Sequence, residues 1–229
     1  MTPTATGLAA RIERVRERIA LACQRVGRHP SEVTLIAVSK TWPAESVLAT
    51  LQCGLADFGE NRVQEALEKF SAVELLCAGM RPQPTWHLIG HLQTNKVKAI
   101  TGRFAILHGI DSERLVETVG RFAEKPQRVM LEVNVSGESS KFGVAPADLG
   151  RLLDVASLTP NVVVEGLMTV APQSSDAQSA RPVFRQLREL AGHHSLPNLS
   201  MGMSDDFEAA IEEGATHVRV GRAIFGERP

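Results

Sequence analysis

Tyrosine is absent from the 229 residues, and aromatic side chains of all kinds make up only 4%. Chemistry that needs a phenolic acid or base must therefore find another group. Cysteine is nearly as scarce. Cys23, Cys53 and Cys77 stand far apart with no CxxC spacing. An odd, scattered set offers neither a disulfide framework nor a zinc site, and it suits a reducing compartment. Neither sign of charge is in excess, with 25 Lys and Arg against 26 Asp and Glu. That balance predicts no bulk binding to nucleic acid or to a membrane surface. No apolar run approaches the length of a membrane span. The opening Met1-Thr-Pro-Thr-Ala-Thr-Gly7 lacks the charged and apolar regions of a signal peptide. The expectation is a cytoplasmic protein. Linkers, low-complexity tracts and short repeats are missing too, so residues 1–229 are expected to form one domain.

What is present is an alternation of two periods. Leu8, Ile12, Val15, Ile19, Cys23 and Val26 recur at helical steps, and Gly27 supplies a stop. Residues 33–39 then form a mostly apolar, β-branched run, the mark of a strand buried on both faces of a parallel sheet. Further strands are expected at 56–59, 86–89, 104–109, 128–136, 162–170, 199–202 and 216–220. Helical patterns at 44–53, 62–73, 91–100, around 115–122, from Pro146 to 155, at 177–191 and at 205–213 lie between them. Asp111 or Ser112 can cap the fifth of these helices. The stretches 77–85 and 172–178 read as loops. Eight strands separated by helices predict a single α/β domain, a (β/α)8 TIM barrel with an extra N-terminal helix. An open doubly wound sheet fits less well, because no GxGxxG loop follows the first strand.

Barrels of this kind place their chemistry at the C-terminal ends of the strands. Lys40 closes the first strand there. A lysine ending a buried strand is costly unless its ammonium reaches solvent, a partner or a ligand. In a barrel mouth, desolvation favours the neutral amine that forms a Schiff base. The competing reading is a lysine that snorkels to the rim and pairs with Glu60, and position alone does not separate the two. Gly202-Met-Ser204 leads into the helix after the seventh strand, and Gly221-Arg222 into a short segment at 223–225. Each alone reads as an N-cap or a tight turn. Together, on adjacent strands, they favour phosphate held by backbone N–H groups with the Ser204 hydroxyl helping. Arg219 shares a face with His217 and Gly221 by alternation. An aldehyde cofactor gripped by lysine at one end and phosphate at the other would set its pyridine nitrogen against such an arginine. A structural salt bridge would explain Arg219 equally.

The segments Ala37-Val-Ser-Lys-Thr41, Phe58-Gly-Glu-Asn-Arg-Val-Gln-Glu65, Trp86-His-Leu-Ile-Gly-His-Leu-Gln-Thr-Asn-Lys96, Val133-Asn-Val-Ser-Gly-Glu-Ser-Ser-Lys-Phe-Gly143, Gly166-Leu-Met-Thr169, Leu199-Ser-Met-Gly-Met-Ser204 and Val218-Arg-Val-Gly221 run in order along the chain. In them the chain resembles the pyridoxal phosphate homeostasis protein family, which is similar to the barrel domain of alanine racemase (fold type III). The resemblance implies a Schiff base between pyridoxal 5′-phosphate (PLP) and Lys40, with Arg219 facing the pyridine nitrogen. It implies phosphate held by Ser204, Gly221 and Arg222, and a ring lined by Asn61 and Met201. It further implies a carrier that keeps free PLP low and influences amino-acid balance, with PLP-dependent apoenzymes as recipients and no established catalysis. Two positions depart from the common pattern. Trp42 stands where many relatives have a second lysine, which puts the exchange route in question. Arg222 replaces a threonine or serine, exchanging a hydroxyl for a charge.

The rival on the same cofactor is an amino-acid racemase. A two-base route needs an acid/base on each face. Lys40 could serve one, but the racemase relatives use a tyrosine for the other and carry a second, β-rich domain. His91 or His217 could substitute near the mouth. A phosphate-sugar isomerase barrel would explain the two anion loops but leave Lys40 and Arg219 without a joint purpose. His87 and His91, four apart, lack a completing acid and the helix that zinc binding would need. His193-His194 reads as a solvated helix end, and Asp205-Asp206 as helix N-terminal charge.

Overall fold

A computed structural model describes residues 5–138, 141–172 and 176–227. Eight parallel strands close in sequence order into a barrel. They are β1 (Thr34–Val38), β2 (Asp57–Glu60), β3 (Thr85–Leu88), β4 (Ile106–Ile110), β5 (Gln127–Glu132), β6 (Val162–Met168), β7 (Asn198–Ser200) and β8 (His217–Val220). Closure runs through β1 and β8, with Thr34 opposite His217 and Ala37 opposite Val220. The helices are α1 (Ala5–Arg25), α2 (Ala44–Gln52), α3 (Val63–Leu76), the single turn α4 (Val97–Ile100), α5 (Glu113–Phe122), α6 (Leu149–Leu158), α7 (Arg181–His193), α8 (Phe207–Glu212) and α9 (Arg222–Phe225).

Alternation along the strands sorts the side chains into two layers. Leu35, Ala37, Phe58, Leu88, Leu107, Val129, Leu131, Leu167, Leu199, Val218 and Val220 belong to the large apolar core shared with the helices. Ile106, Met130 and Met168 form a separate small cluster. The extra N-terminal helix, α1, buries Leu8, Ile12, Val15, Ile19 and Cys23. Arg18 of α1 lies over the Phe207 ring at 4.4 Å and pairs with Glu208 at 3.0 Å, tying α1 to α8.

Several elements are shorter than their sequence pattern suggests. The expected helix at 91–100 is reduced to a 3-10 turn at Thr94–Lys96 followed by α4. His91 is held at the rim, stacked on Phe142 at 3.9 Å and paired with Asp111 at 3.3 Å, so helical geometry starts only beyond it. β5 stops at Glu132 rather than 136. Asn134 turns the chain there, accepting from the Gly137 N–H and donating to the Glu138 carbonyl, while Val133 bridges to Val144. Ser112, not Asp111, takes the N-cap position of α5, although its hydroxyl makes no cap bond. The helix expected at 205–213 is the shorter α8, with Asp206 at its N-cap position. Residues 139–140 of the expected 133–143 segment, and 173–175 of the expected 172–178 loop, lie outside the described residues.

Candidate functional site

At the C-terminal ends of the strands a cavity of about 580 Å³ opens between the segments after β1, β2, β3, β6, β7 and β8. Six of the seven residues singled out in the sequence line it: Lys40, Asn61, Ser204, Arg219, Gly221 and Arg222. Met201 does not. Ser200 points into the barrel toward Arg219 and His108, so the next residue points the other way. Met201 is fully buried in the apolar layer, and Met203 lines the cavity instead.

Lys40 sits half-buried in the turn after β1. Thr41 beside it has φ 68°, the left-handed region that a β-branched residue rarely enters. Such a conformation persists only where surroundings over-determine it. Here the Thr41 N–H donates to Glu65 of α3, and Trp42 is buried and stacked on Phe225 at 5.7 Å. The Trp42 indole is therefore packed between the β1 and β8 loops, and it also forms part of the cavity wall.

Glu60, which the sequence offers as a partner for Lys40, is gripped from α3. Lys69 of α3 reaches through the barrel wall to Glu60 Oε1 at 2.5 Å and to the Ser39 carbonyl at 2.7 Å. Ser39 Oγ donates to the same carboxylate oxygen at 2.7 Å. The second oxygen, Oε2, is buried without a hydrogen-bond partner. Burial outweighs Lys69 and Ser39 and pushes the Glu60 carboxyl above the usual carboxylate range. Nothing in the sequence marked Lys69; on α3 it reads as a solvated partner of Glu65 four residues earlier.

Arg219 lies in the cavity wall, nearly completely buried. Its Nη1 donates to Ser200 Oγ at 2.7 Å and its Nη2 to the Thr169 carbonyl at 2.9 Å. Burial pulls the guanidinium down to about 10, against the pull of Glu132 and Asp206, so it remains charged at neutral pH. Glu132 is itself pushed up to about 7 by burial and by Asp111. No salt bridge within 4 Å explains Arg219 among the described residues.

Ser204 and the start of α9 meet at the seventh and eighth loops. The Ala223 N–H points at Ser204 Oγ across 3.3 Å, a long contact. A Cβ on Gly221 would reach Val38 at 3.4 Å, which places the β8 loop directly against β1. Gly202 has φ +90°, and a Cβ there would overlap Ala210 at 2.6 Å, so glycine is required where the β7 loop turns. Acids share this end of the cavity. Asp205 pairs with Arg222, Asp206 accepts from the Met203 N–H at 2.6 Å, and Asp176 and Glu227 also contribute to the lining.

The other candidates take structural places. His91 is at the rim, but His217 starts β8, two residues deeper than Arg219, and is not at the mouth. His193 and His194 are exposed at the end of α7. No group of three metal-ligating side chains occurs among the described residues.

A parallel barrel that sets a lysine, a buried arginine and the seventh and eighth loops around one cavity defines a class of cofactor-binding barrel. The chain belongs to the pyridoxal phosphate homeostasis protein family, and the model of the alanine racemase N-terminal domain matches residues 11–229. The pyridoxal phosphate homeostasis protein of Aquifex aeolicus is 46% identical over 227 residues, covering 95% of this chain and 97% of that one. The structure of PipY from Synechococcus elongatus with PLP bound superposes with a TM-score of 0.80 at 35% identity, covering 96% and 100% of the two chains. An unknown protein from Bifidobacterium adolescentis reaches a TM-score of 0.89 at 34% identity, over 96% and 95%.

Proposed function

We infer that the chain carries pyridoxal 5′-phosphate on Lys40 and serves in PLP homeostasis and amino-acid balance. The observation that carries this reading is the meeting of an amine, a buried guanidinium and two anion loops in one cavity. The volume suits a small phosphorylated ring. When bound, PLP supplies an aldehyde carbon and an electron-withdrawing ring. Lys40 Nζ is the nucleophile for the aldehyde. The strained Thr41 and the Lys69–Glu60–Ser39 cluster hold the turn that aims it. Arg219, fixed through Nη1 and Nη2, presents a permanent donor to the ring nitrogen and so disfavours its protonation. Ser204 Oγ and the N–H groups from Gly221 onward hold the phosphate. Arg222 joins them by exchanging Asp205 for the anion. Asn61 and Met203 line the ring.

The role is that of a carrier, delivering PLP to apoenzymes in the cytoplasm, rather than of a racemase. No tyrosine exists in the chain, and among the described residues no histidine or cysteine lines the cavity, while the carboxylates that do, Asp176, Asp205, Asp206 and Glu227, share the end formed by the seventh and eighth loops. A second proton-transfer group opposite Lys40 is what racemisation requires. The relatives' names support homeostasis over catalysis. Among the described residues no helix is long and apolar enough to cross a membrane. The test is to load the purified protein with PLP, reduce it with borohydride and map the labelled peptide by mass. The expected label is on Lys40. A label on Lys69, Lys96 or Lys141 alone, or none, would refute the reading.

A further inference from the structure

Beneath the cavity the barrel interior carries polar side chains where apolar ones would be the ordinary filling. They form an unbroken chain. Arg219 Nη1 is 2.7 Å from Ser200 Oγ, and Ser200 Oγ is 2.9 Å from His108 Nδ1. His108 Nε2 is 3.0 Å from His87 Nδ1, and His87 Nε2 is 3.0 Å from Asp57 Oδ1. Ser200, His108 and His87 are buried, and Asp57 at the start of β2 keeps 33% of its side chain in solvent. The path therefore runs from the cavity through the barrel to its opposite, N-terminal face.

Its two ends decide its direction. Arg219 can only donate, and an ionised Asp57 can only accept. With neutral rings, Ser200 Oγ accepts from Arg219 and donates to His108 Nδ1. His108 must then carry its proton on Nε2 and donate to His87 Nδ1. His87 in turn carries its proton on Nε2 and donates to Asp57. The reverse order needs a protonated Asp57 and leaves the buried Ser200 hydroxyl hydrogen with no acceptor in the chain, a costly orphan.

We propose that Ser200, His108, His87 and Asp57 are positioning residues for Arg219, a one-directional hydrogen-bond chain that locks both histidine tautomers and fixes the guanidinium plane at the cavity wall. Its bearing on PLP rests on the function proposed above. The chain itself does not. Burial and the groups facing His108 keep that ring neutral. His217 lies 6.3 Å from the His87 ring and 5.9 Å from the His108 ring, and Arg219 and Arg128 add positive charge. Burial first, and then repulsion from His87 and His217 when protonated and from Arg219 and Arg128, holds His108 well below the usual imidazole range, so it stays a neutral relay.

The test reads nitrogen protonation in the PLP-free protein. Long-range proton–nitrogen NMR of the uniformly 15N-labelled chain at neutral pH should show His87 and His108 each as a single Nε2–H tautomer. An Nδ1–H or doubly protonated ring at either position overturns the proposal. Ser200→Ala should release His108 into a tautomer mixture and weaken PLP binding about tenfold, the loss of one charge-assisted hydrogen bond. Ser200→Thr, which keeps the hydroxyl, should restore both. An unchanged His108 tautomer with unchanged PLP affinity in folded Ser200→Ala overturns it as well. Native tautomers in a protein that binds no PLP would uphold the chain and refute only the functional reading.

Discussion

Lys69→Met is the sharpest perturbation of the structure that aims Lys40. The substitution keeps the stem that fills the barrel wall and removes the ammonium that neutralises Glu60 at 2.5 Å. Glu60 is fully buried, and its Oε2 already lacks a partner. Removing one member of a buried pair costs about 3–5 kcal/mol, because the remaining charge has nowhere to go. For a chain of this size that corresponds to roughly 6–20 °C in Tm. The sign with pH follows from Glu60. Its folded pKa already lies above the ordinary value, and losing Lys69 raises it further. A group raised in the folded state contributes stability below its unfolded pKa and loses it as pH rises toward the folded value. The variant should thus be least impaired on the acid side and increasingly impaired as pH rises toward neutrality. Urea unfolding followed by circular dichroism across that range measures it. A loss below about 1 kcal/mol at neutral pH, the size of an exposed pair, would refute the reasoning. So would a loss that does not grow with pH.

Lys40→Ala should abolish PLP colour and the borohydride-trapped adduct while changing stability by no more than about 0.5 kcal/mol, as for a half-exposed side chain; PLP titration and urea melts check both. Arg219→Glu should shift the spectrum of bound PLP toward the protonated-ring form, with folding confirmed first by circular dichroism, since the new acid joins Glu132 and Asp206; an identical spectrum in a folded, loaded variant would separate Arg219 from the ring. Gly202→Ala should destabilise by about 1–3 kcal/mol, since φ +90° and an overlap at 2.6 Å both oppose a side chain; thermal melts read it. The PLP-loaded protein should show no alanine, serine or glutamate racemisation above free PLP, because a missing acid/base group costs about 10²–10⁴-fold in rate; chiral chromatography would expose turnover that disappears in Lys40→Ala.

The barrel is legible in the sequence because buried parallel strands carry β-branched runs with no competing signal, as at 33–39. Boundaries are less legible where apolar pattern outlasts the strand. Val133 and Val135 continue the alternation of β5, yet the Asn134 side chain folds the backbone onto Gly137 and Glu138. The 91–100 pattern misleads for a related reason. Its first residue, His91, is held by Asp111 and Phe142 across the rim, contacts that no local window contains.

The site was legible wherever residues sit at strand ends, because the topology alone brings Lys40, Ser204, Arg219 and Gly221 to one mouth. It failed where side-chain parity decides. Met201 follows an inward Ser200 and so faces the helices, an assignment that a one-residue shift of strand phase reverses. The same parity hides the interior chain. His108 lies inside the apolar run of β4, and Ser200 inside Leu199-Ser-Met201, where each reads as a lone polar residue. Only the closed barrel, which turns these β4 and β7 side chains into one interior, brings His108 Nδ1 within 2.9 Å of Ser200 Oγ. The contest for Glu60 has the same character. Lys40 is near it along the sheet, but Lys69 reaches it from α3 by crossing the wall, and that engagement aims the Lys40 turn without using the Lys40 amine. A lysine that the sequence pattern assigns to solvent thus supports the one assigned to the ligand, and Lys69→Met and Lys40→Ala should separate the two roles, the first through stability and the second through attachment.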